Sequence, residues 1–583
     1  MKKTLILLSV FFGTFFVSCD EDLLDPYTPG ALTQELAITN SSQLKLLLLS
    51  SYSLITPVSE IEFNSIFTDE VGIAPGNGGQ GLGGNYDFLL NSSSGSPIGI
   101  WATHYSALSY INRVIKFSNT ITIVDSADQQ LVDQIVAEAL TLRAYCHIQL
   151  ISYFSTNPKD LNALGVMLSN DVYPSNTEKA RATNGEIYQQ IEQDLNSAIT
   201  KFGSATLDPI YASKYFAIAL KARAAALKGD YTNALVYAND VINNSGIVLS
   251  NATDNRNIYW SDNQSNNSEV IFKLKKLNGQ TKIGTIWASV NATSTGGAYF
   301  DMNRGLFKLL QPTNLPSASS ATITSISAGK NVRIPNHGLS VNDMIVLNSD
   351  YGTSATNKLK EGHSYFVFSV VDANTVTLSN LFGGTQRTNL VNNASLNINC
   401  KTNYGDTRYS TMIAYSSLID VDYLTSPDFR TSDFLVISKY PGTTANGNLV
   451  NDIKICRISE MYFIKAEAEI QAGLLTTAAN TLKAIRDKRY SKPQPATIYA
   501  NAEEAWKDVL KERRIEFAFE GFRFIDLKRL GLLANEGIVR DSRDCEINGA
   551  CSLPVTDYRF TLPIPISEIT ANGAISGQQN PQY

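Results

Sequence analysis

Alanine-rich helices joined in pairs by short turns are the feature that most constrains how this chain folds. The stretch KYFAIALKARAAALKGDYTNALVYANDVIN (214–243) has helical hydrophobic periodicity on both sides of Gly229 and Asp230. A glycine and an aspartate in succession mark a turn. Small alanine side chains allow close approach of helices, so the stretch predicts one helix, a turn and a second helix packed together.

Three further stretches extend this helical pattern. They are DQIVAEALTLRAYCHIQLISYF (133–154), NGEIYQQIEQDLNSAIT (184–200) and ISEMYFIKAEAEIQAGLLTTAANTLKAIRDKR (458–489). The first has an apolar stripe between Ile135 and Leu150, and Asn184 is the predicted N-cap of the second. The helical pairs resemble tetratricopeptide repeats but lack a fixed period of about 34 residues, which predicts irregular stacking rather than a regular solenoid.

Two regions depart from the helical pattern. Residues 72–98 are rich in Gly, Asn and Ser and predict a loop. Residues 312–401 contain short, β-branched, partly alternating runs such as DMIVL and YFVFSVV, divided by Gly, Asn and Asp. Because helical stretches flank the second region, it is predicted to be a small β-domain inserted into a mainly α-helical chain.

The N-terminus has the organisation of a secretory signal. Lys2 and Lys3 precede an apolar run that is too short for the roughly 20 residues of a membrane-spanning helix. The run ends at Val17-Ser18-Cys19, which resembles a bacterial lipobox and implies cleavage before Cys19 and attachment of lipid to it. The alternative is a disordered leader with a chance cysteine. No later segment is expected to span a membrane.

Composition and motifs exclude several classes of protein. The net charge is -6 without a basic stripe, which argues against nucleic-acid binding. The sequence has no Walker loop, nucleophile elbow or closely spaced histidine pair, so neither a cofactor nor a metal is predicted. Cys545 and Cys551 flank a glycine-containing loop and are candidates for a local disulfide in an exported protein. A zinc site there is disfavoured because no histidine lies nearby.

The most specific sequence lies in the C-terminal third. The stretch WKDVLKERRIEFAFEGFRFIDLKRLG (506–531) is followed by FTLPIPISEI (560–569) and the closing GQQNPQY (577–583). These motifs resemble those of the SusD/RagB family, which are outer-membrane nutrient-binding lipoproteins of Bacteroidetes. The helical stretches fall in the order expected for that family, so the resemblance covers nearly the whole chain except the β-region.

The resemblance implies a mainly α, SusD-like fold of irregular tetratricopeptide-like helical pairs. The inserted small β-domain follows from the strand pattern alone, since it is not a standard element of that family. The predicted parts are a cleaved signal peptide (1–18), an N-terminal and helical-repeat region (19–312), the β-insert (313–401) and a C-terminal region that completes the same core domain (402–583). The acidic residues at 20–22, just after the lipidated cysteine, resemble a signal for display on the cell exterior. The alternative for them is a solvated tether.

Six charged residues of the C-terminal motif lie among aromatic side chains and are predicted to be partly buried. They are Arg513, Glu516, Glu520, Arg523, Asp526 and Arg529. Buried charges need partners, and alternating signs at helical spacing supply them, which predicts structural ion pairs. Paired carboxylates also act as catalytic acids and bases, but a helix this aromatic is more typical of a packed strut. Gly521 is predicted to separate two helices.

Candidate ligand-binding residues follow from the family's placement of its site on surface loops. Sugar rings stack their apolar faces on aromatic side chains, and their hydroxyl groups bond to Asp, Asn and Arg. The candidates are Asp69, Tyr86 and Phe88 in a first loop, and Trp287, Tyr299 and Arg304 in a second region. The alternative for each is an ordinary packed or exposed side chain.

The predicted function is capture of an oligomeric nutrient, most often a glycan in this family. The resemblance further implies its delivery to a TonB-dependent outer-membrane transporter of the SusC type. Catalytic residues are not predicted, because the sequence offers no motif for the two acids of a glycosidase. A second alternative is a peptide-binding or adhesive surface lipoprotein that uses the β-insert.

Overall fold

The computed structural model describes residues 38–79, 82–174, 176–203, 208–263, 269–293, 296–314, 318–354, 356–420, 425–426, 433–546 and 549–583. The predicted signal peptide, Cys19 and the acids after it lie outside these residues. The described α-helices are α1 (Ser41–Leu54), α2 (Val58–Phe67), α3 (Gly95–Phe117), α4 (Ser126–Phe154), α5 (Asn184–Lys201), α6 (Lys214–Lys228), α7 (Tyr231–Asn244), α8 (Ala252–Trp260), α9 (Arg304–Leu310), α10 (Thr407–Met412), α11 (Ile458–Gln471), α12 (Leu475–Arg486), α13 (Ala502–Glu516), α14 (Arg523–Ala534), α15 (Ser542–Cys545) and α16 (Ile566–Ala571).

The described strands are short and mostly paired two by two outside the insert. They are β1 (Val71–Ile73), β2 (Val270–Leu274), β3 (Ala288–Thr293), β4 (Gly296–Ala298), β5 (Phe300–Met302), β6 (Ser319–Ile323), β7 (Ser325–Ser327), β8 (Asn331–Arg333), β9 (Met344–Leu347), β10 (Ser364–Asp372), β11 (Thr375–Ser379), β12 (Ile398–Asn403), β13 (Gly442–Thr443), β14 (Gly447–Asn448), β15 (Ile453–Arg457), β16 (Ile538–Val539) and β17 (Ser552–Leu553).

Helices α6 and α7 form the pair that the sequence predicts. Gly229 ends α6 in the left-handed conformation at φ 84°, which glycine adopts without steric cost, and Asp230 caps α7. Ala234 and Ala238 of α7 are fully buried. The same arrangement joins α11 to α12, where Gly473 has φ 76°. The predicted turns are confirmed.

Helix α4 packs against α3 and α5. The apolar stripe predicted within 135–150 is buried along its whole length, which confirms the prediction. The predicted N-cap of α5 is wrong by one residue. Thr183 is the cap, because it accepts from the Glu186 backbone N–H while the Glu186 carboxylate accepts from the Thr183 N–H. Asn184 is buried and donates to Ser155 Oγ at 2.9 Å instead.

One stretch among the described residues, Ser41–Phe67, is long and apolar enough to cross a membrane by length and composition. It departs from the expectation that no later segment meets this criterion. The stretch consists of two helices, α1 and α2, interrupted at 55–57. Phe63 and Phe67 belong to the main hydrophobic core, and the core helices of globular proteins commonly meet the same criterion.

The β-region forms one seven-stranded antiparallel sheet in the order β6-β12-β9-β10-β11-β8-β7. Strands β6 and β7 lie at opposite edges of this sheet, although Thr324 alone separates them in the chain. The sheet therefore curls until its two edges meet. There β6 and β7 form one kinked strand, which pairs with β12 through β6 and with β8 through β7. The sequence pattern did not indicate β12, which lies between β6 and β9.

The sheet shares its apolar side chains between two cores. On β9, Met344 and Val346 belong to the main core, whereas Ile345 and Leu347 belong to a separate core inside the insert. This alternation is that of a strand buried on both faces. Phe366 on β10 also joins the main core, so the insert packs firmly on the helical frame. The predicted mainly α fold with an inserted small β-domain is confirmed.

Candidate functional site

The charged residues of the C-terminal motif lie in a buried network. The carboxylate of Glu516 contacts three guanidinium groups, those of Arg408, Arg457 and Arg489, at 2.7 to 3.3 Å. Burial alone would raise the pKa of Glu516, but the arginines, Arg489 and Arg457 first, hold it well below its ordinary range. The charge of Glu516 is therefore balanced inside the core.

The other five motif charges have equally close partners. The pairs are Glu520 with Lys439 (2.6 Å) and Arg457 (3.0 Å), Arg523 with Asp69 (2.8 Å), Arg513 with Asp526 (2.7 Å), and Arg529 with Glu467 (2.8 Å). Helix α13 ends at Glu516, and a turn with positive φ at Phe519 and Gly521 separates it from α14, as predicted for Gly521. Because this turn interrupts the helical spacing, most partners come from other elements. The arrangement is that of a packed strut.

Five of the six predicted ligand-binding residues are buried in the core, which contradicts their predicted place on a ligand-binding surface for all but Phe88, a lining residue of the cleft described below. They are Asp69, Tyr86, Phe88, Trp287 and Arg304, each at most 4% exposed. Their side chains contact other buried residues: Asp69 pairs with Arg523, and Trp287 stacks on Tyr440 with ring centroids 5.8 Å apart. Tyr299 is half-buried and stays a prediction.

Arg304 lies among three buried carboxylates, those of Asp301, Asp433 and Asp544. Burial raises the pKa of Asp301 to about 7, opposed by Arg304 and aided by the other two carboxylates. The cluster joins β5, α9 and α15. Its arginine is therefore a structural centre rather than a surface contact.

A polar cleft of about 850 Å³ opens beside the first predicted loop, and we call it the loop cleft. Its polar and aromatic lining includes Ser59, Glu62, Asn85, Asn91, Ser94, Ser96, Tyr558 and Arg559. The loop is shorter than predicted, because 72–73 belong to β1 and α3 begins at Gly95. The cleft is the best candidate for a functional site because it combines open volume with several polar groups.

Local hydrogen bonds fix the loop side of this cleft. The Asn85 side chain donates to Ser96 Oγ at 2.7 Å, and the Asn91 backbone N–H donates to Ser94 Oγ at 3.0 Å. Between them, Leu89 is 53% exposed at the cleft wall. The loop therefore presents an apolar side chain between polar groups that are already oriented.

Tyr558 and Arg559 form the opposite side of the loop cleft. The guanidinium of Arg559 donates twice to Asp557 at 2.8 Å and once to the Phe88 carbonyl at 3.1 Å. The half-buried ring of Tyr558 meets the edge of Tyr583 with centroids 5.1 Å apart. An aromatic surface and a fixed guanidinium thus lie side by side.

Arg540 packs against two aromatic side chains of the loop. Its guanidinium lies 3.8 Å from the centre of the Tyr86 ring and 4.4 Å from that of Phe88. It donates to the carbonyl of Thr68 at 2.9 Å and to that of Ala550 at 2.8 Å. Tyr86 and Phe88 therefore anchor the end of the loop at which they were predicted to face a ligand.

Cys545 and Cys551 are joined by a disulfide beneath the same loop. The adjacent residue Asp544 accepts a hydrogen bond at its carbonyl from the Tyr86 hydroxyl, at 2.6 Å. The bonded segment thus contacts the base of the loop that carries the cleft.

Sequence reasoning located the loop but missed Tyr558 and Arg559. They are more than 450 residues away from Asn85 in the chain, and the one available signal was their position directly before the motif at 560–569. Among the described residues, no group of three His, Cys, Asp or Glu side chains is arranged to hold a metal ion. The cleft can act by stacking and hydrogen bonding.

Comparisons with known proteins agree with this fold. The model of the SusD family matches residues 394–583, and a second model, described as starch-binding and associating with the outer membrane, matches 85–225. SusD-like protein P38 of Formosa agariphila is 32% identical over 133 residues, which span 22% of this chain and 24% of that relative. The chain thus matches about a quarter of the relative's length.

Solved structures extend the likeness to almost the whole fold. A SusD superfamily protein from Bacteroides thetaiotaomicron has a TM-score of 0.66 at 21% identity, covering 93% of this chain and 100% of that one. A laminarin-binding SusD-like protein has a TM-score of 0.56 at 18% identity, covering 94% and 100%. Two SusD-type family models thus match this chain in their expected order, over residues 85–225 and 394–583, and its fold is similar to that of solved SusD superfamily proteins.

Proposed function

We propose that this protein is a lipid-anchored, outward-facing binding protein of the outer membrane. It captures an oligomeric glycan and delivers it to a TonB-dependent transporter of the SusC type. The observation that carries the binding proposal is the loop cleft, where Tyr558, Arg559 and several Asn and Ser side chains surround about 850 Å³. An aromatic face with fixed donors suits a sugar ring, which has apolar faces and hydroxyl edges.

Similarity to the SusD family supports the choice of a glycan. One matching family model is described as starch-binding, and a structural neighbour is described as laminarin-binding. Anchoring through Cys19 and outward display through the acids at 20–22 rest on the sequence and remain part of the proposal. The transporter partner rests on the family resemblance.

The lining of the loop cleft supports binding without catalysis. Glu62 is the one carboxylic acid among the residues that line it. Glycoside hydrolysis generally uses two carboxyl groups about 5 to 9.5 Å apart. Hydrolysis of an oligosaccharide by the purified protein would contradict this part of the proposal.

Replacement of Tyr558 by alanine tests the binding site. We expect Tyr558→Ala to weaken binding of maltohexaose or laminarihexaose by about tenfold, because an aromatic contact of this kind is worth roughly 1 kcal/mol or more. Isothermal titration of the soluble protein that starts after Cys19 measures the affinity. Tyr110→Ala is the matched control, since Tyr110 is 40% exposed on α3 and does not line the cleft. Equal affinity in wild type and Tyr558→Ala would refute the site.

A second candidate function is adhesion through the β-insert. Val341, Phe368, Val370 and Val371 are 41 to 54% exposed on the insert. Exposed apolar groups of this kind favour contact with a protein partner. Strand β10 lies between β9 and β11 in the sheet, and beyond its pairing with β9 the Val367 carbonyl accepts from the Asn342 N–H. Contact through side chains is therefore favoured over strand addition.

A further inference from the structure

A second cleft, with about 880 Å³ of empty space, lies along the outer face of α13. The segment 497–499 borders it on one side, and Glu536, just after α14, on the other. We call it the α13 cleft. None of its lining residues belongs to the loop cleft, so the two are separate features of the surface.

Charges of both signs line the α13 cleft: Asp508 pairs with Lys511 at 2.7 Å, whereas Glu536 has no ion-pair partner among the described residues. Lys507, Arg514 and Arg523 line it together with Glu536. These cations act on the Glu536 carboxyl, whose pKa burial raises and Arg523 in particular lowers. Among the described residues, none of the three comes within ion-pair distance of Glu536. The carboxylate and the cations are therefore separated by the space of the cleft.

The guanidinium groups at the cleft floor have hydrogen-bonding capacity left over. Arg523 is 4% exposed and donates to Asp69 from Nε and Nη2, but its Nη1 has no hydrogen-bond partner among the described residues. The Nε of Arg514 likewise lacks one. A buried donor without a partner costs free energy, so a small shift toward an acceptor in the cleft is favourable.

The rim of the cleft offers apolar and aromatic surface. Ile498 is 94% exposed, more than any other large apolar side chain of the described residues. The half-buried Tyr499 is fixed by a hydrogen bond from its hydroxyl to Asp508 Oδ2 at 2.7 Å. A ligand with an apolar face would cover both side chains while its polar edge reached the floor.

The arrangement selects among chemical classes. An anion would meet the carboxylates of Glu504, Asp508 and Glu536, and a cation would meet two arginines and two lysines. Neighbouring hydroxyl groups on one ring avoid both conflicts, because one hydroxyl donates to a carboxylate while the next accepts from a guanidinium. We propose that the α13 cleft is a second saccharide-binding site for a neutral sugar. This inference rests on the proposed glycan-binding function.

Two variants test the site without disturbing the core. We expect Glu536→Ala to weaken the second of two maltohexaose or laminarihexaose binding steps by roughly tenfold, because a hydrogen bond to a charged group contributes about this much. Ile498→Ser should weaken the same step by a similar factor, because the apolar contact of a large side chain with the sugar face is lost. Isothermal titration of the full soluble protein gives the number of sites and both affinities. Ile498→Ser is informative on its own, since so exposed a side chain contributes little to stability.

Matched controls and the Tyr558→Ala variant separate the two clefts. Glu192→Ala and Val124→Ser, at exposed positions away from both clefts, should leave both steps unchanged. Loss of one step with Tyr558→Ala and of the other with Glu536→Ala supports two sites. One site, removed by Tyr558→Ala and unaffected by Glu536→Ala and Ile498→Ser, overturns the second site but leaves the proposed function intact. Absence of saccharide binding by the wild-type protein overturns both.

Discussion

At the scale of single residues, Glu70 is a buried carboxyl group with half of its hydrogen-bonding capacity unused. It is fully buried, Oε1 accepts from the Phe519 N–H at 3.2 Å, and Oε2 has no partner among the described residues. Burial raises the pKa of Glu70 to about 7, opposed by the Phe519 N–H and by Lys439. At neutral pH this residue therefore costs stability that a neutral side chain of the same shape would not.

Replacement of Glu70 by glutamine should stabilise the protein in a pH-dependent way. The folded state holds a proton on Glu70 between about pH 4.5 and 7 that the unfolded state releases, so the stability of the wild type falls as pH rises through this window. We expect Glu70→Gln to raise the free energy of unfolding by about 2–3 kcal/mol at pH 8 and by little at pH 4.5. Urea unfolding at the two pH values measures this, with the exposed Glu192→Gln as control. A gain that is equal at both pH values would contradict the explanation.

Residue types alone could not separate core from site in this chain. Tyr86, Phe88 and Trp287 have the chemistry of sugar-stacking residues, but the same rings fill the core well. Arg457 and Glu516 meet across 59 positions of sequence, and no spacing rule reaches so far. The charged motif was predictable because its acids and bases lie close together in sequence among aromatic residues. The residues that pair with these acids and bases could not be predicted, because most of them lie on other elements.

At the scale of elements, the turns of the helical pairs were predictable because glycine marks them. Gly229, Gly473 and Gly521 all have positive φ, and each follows a periodic helical stretch. The strand β12 was missed because INCKTN lacks the run of β-branched residues that marks the other strands. Its place in the sheet is set by its two neighbours, β6 and β9, rather than by its own preference.

Alanine substitution at two of these glycines should differ in cost. A Cβ added at Gly473 would have no atom within 4 Å. Gly473→Ala should therefore lower the free energy of unfolding only by the cost of the left-handed conformation, about 1 kcal/mol. At Gly521 a new Cβ would also lie 3.2 Å from Ile61 Cγ1, in the packed core, so we expect a loss of about 2 kcal/mol or more. Chemical unfolding of both variants measures the difference. Equal losses would show that α2 yields freely at Ile61.

At the scale of the whole molecule, the insert and the frame share one core. Met344, Val346 and Phe366 of the insert pack with the helices, so removal of residues 313–400 would uncover apolar surface of the frame. Substitution of exposed side chains on the hairpin of β10 and β11 tests the role of the insert without uncovering that surface. The predicted boundaries of the insert could be read from composition, whereas its packing on the frame could not.

The double variant Phe368→Ser/Val371→Ser separates the two candidate functions. Both side chains are more than two-fifths exposed, so we expect the melting temperature to change little. If glycan capture uses the loop cleft, the affinity for maltohexaose or laminarihexaose should stay within about twofold of wild type, a difference below 0.5 kcal/mol. A large loss of saccharide affinity would assign binding to the insert.

The pairing of β6 with β12 brings the two ends of the insert together. Ser319 lies opposite Thr402, so the first and last strands of the insert leave the frame one strand spacing apart, about 4.8 Å. From the side of the frame, the whole insert occupies the place of a hairpin turn. A two-stranded hairpin could therefore close the chain at this point, but only a replacement that also covers the frame surface under Met344, Val346 and Phe366 would keep the core dry.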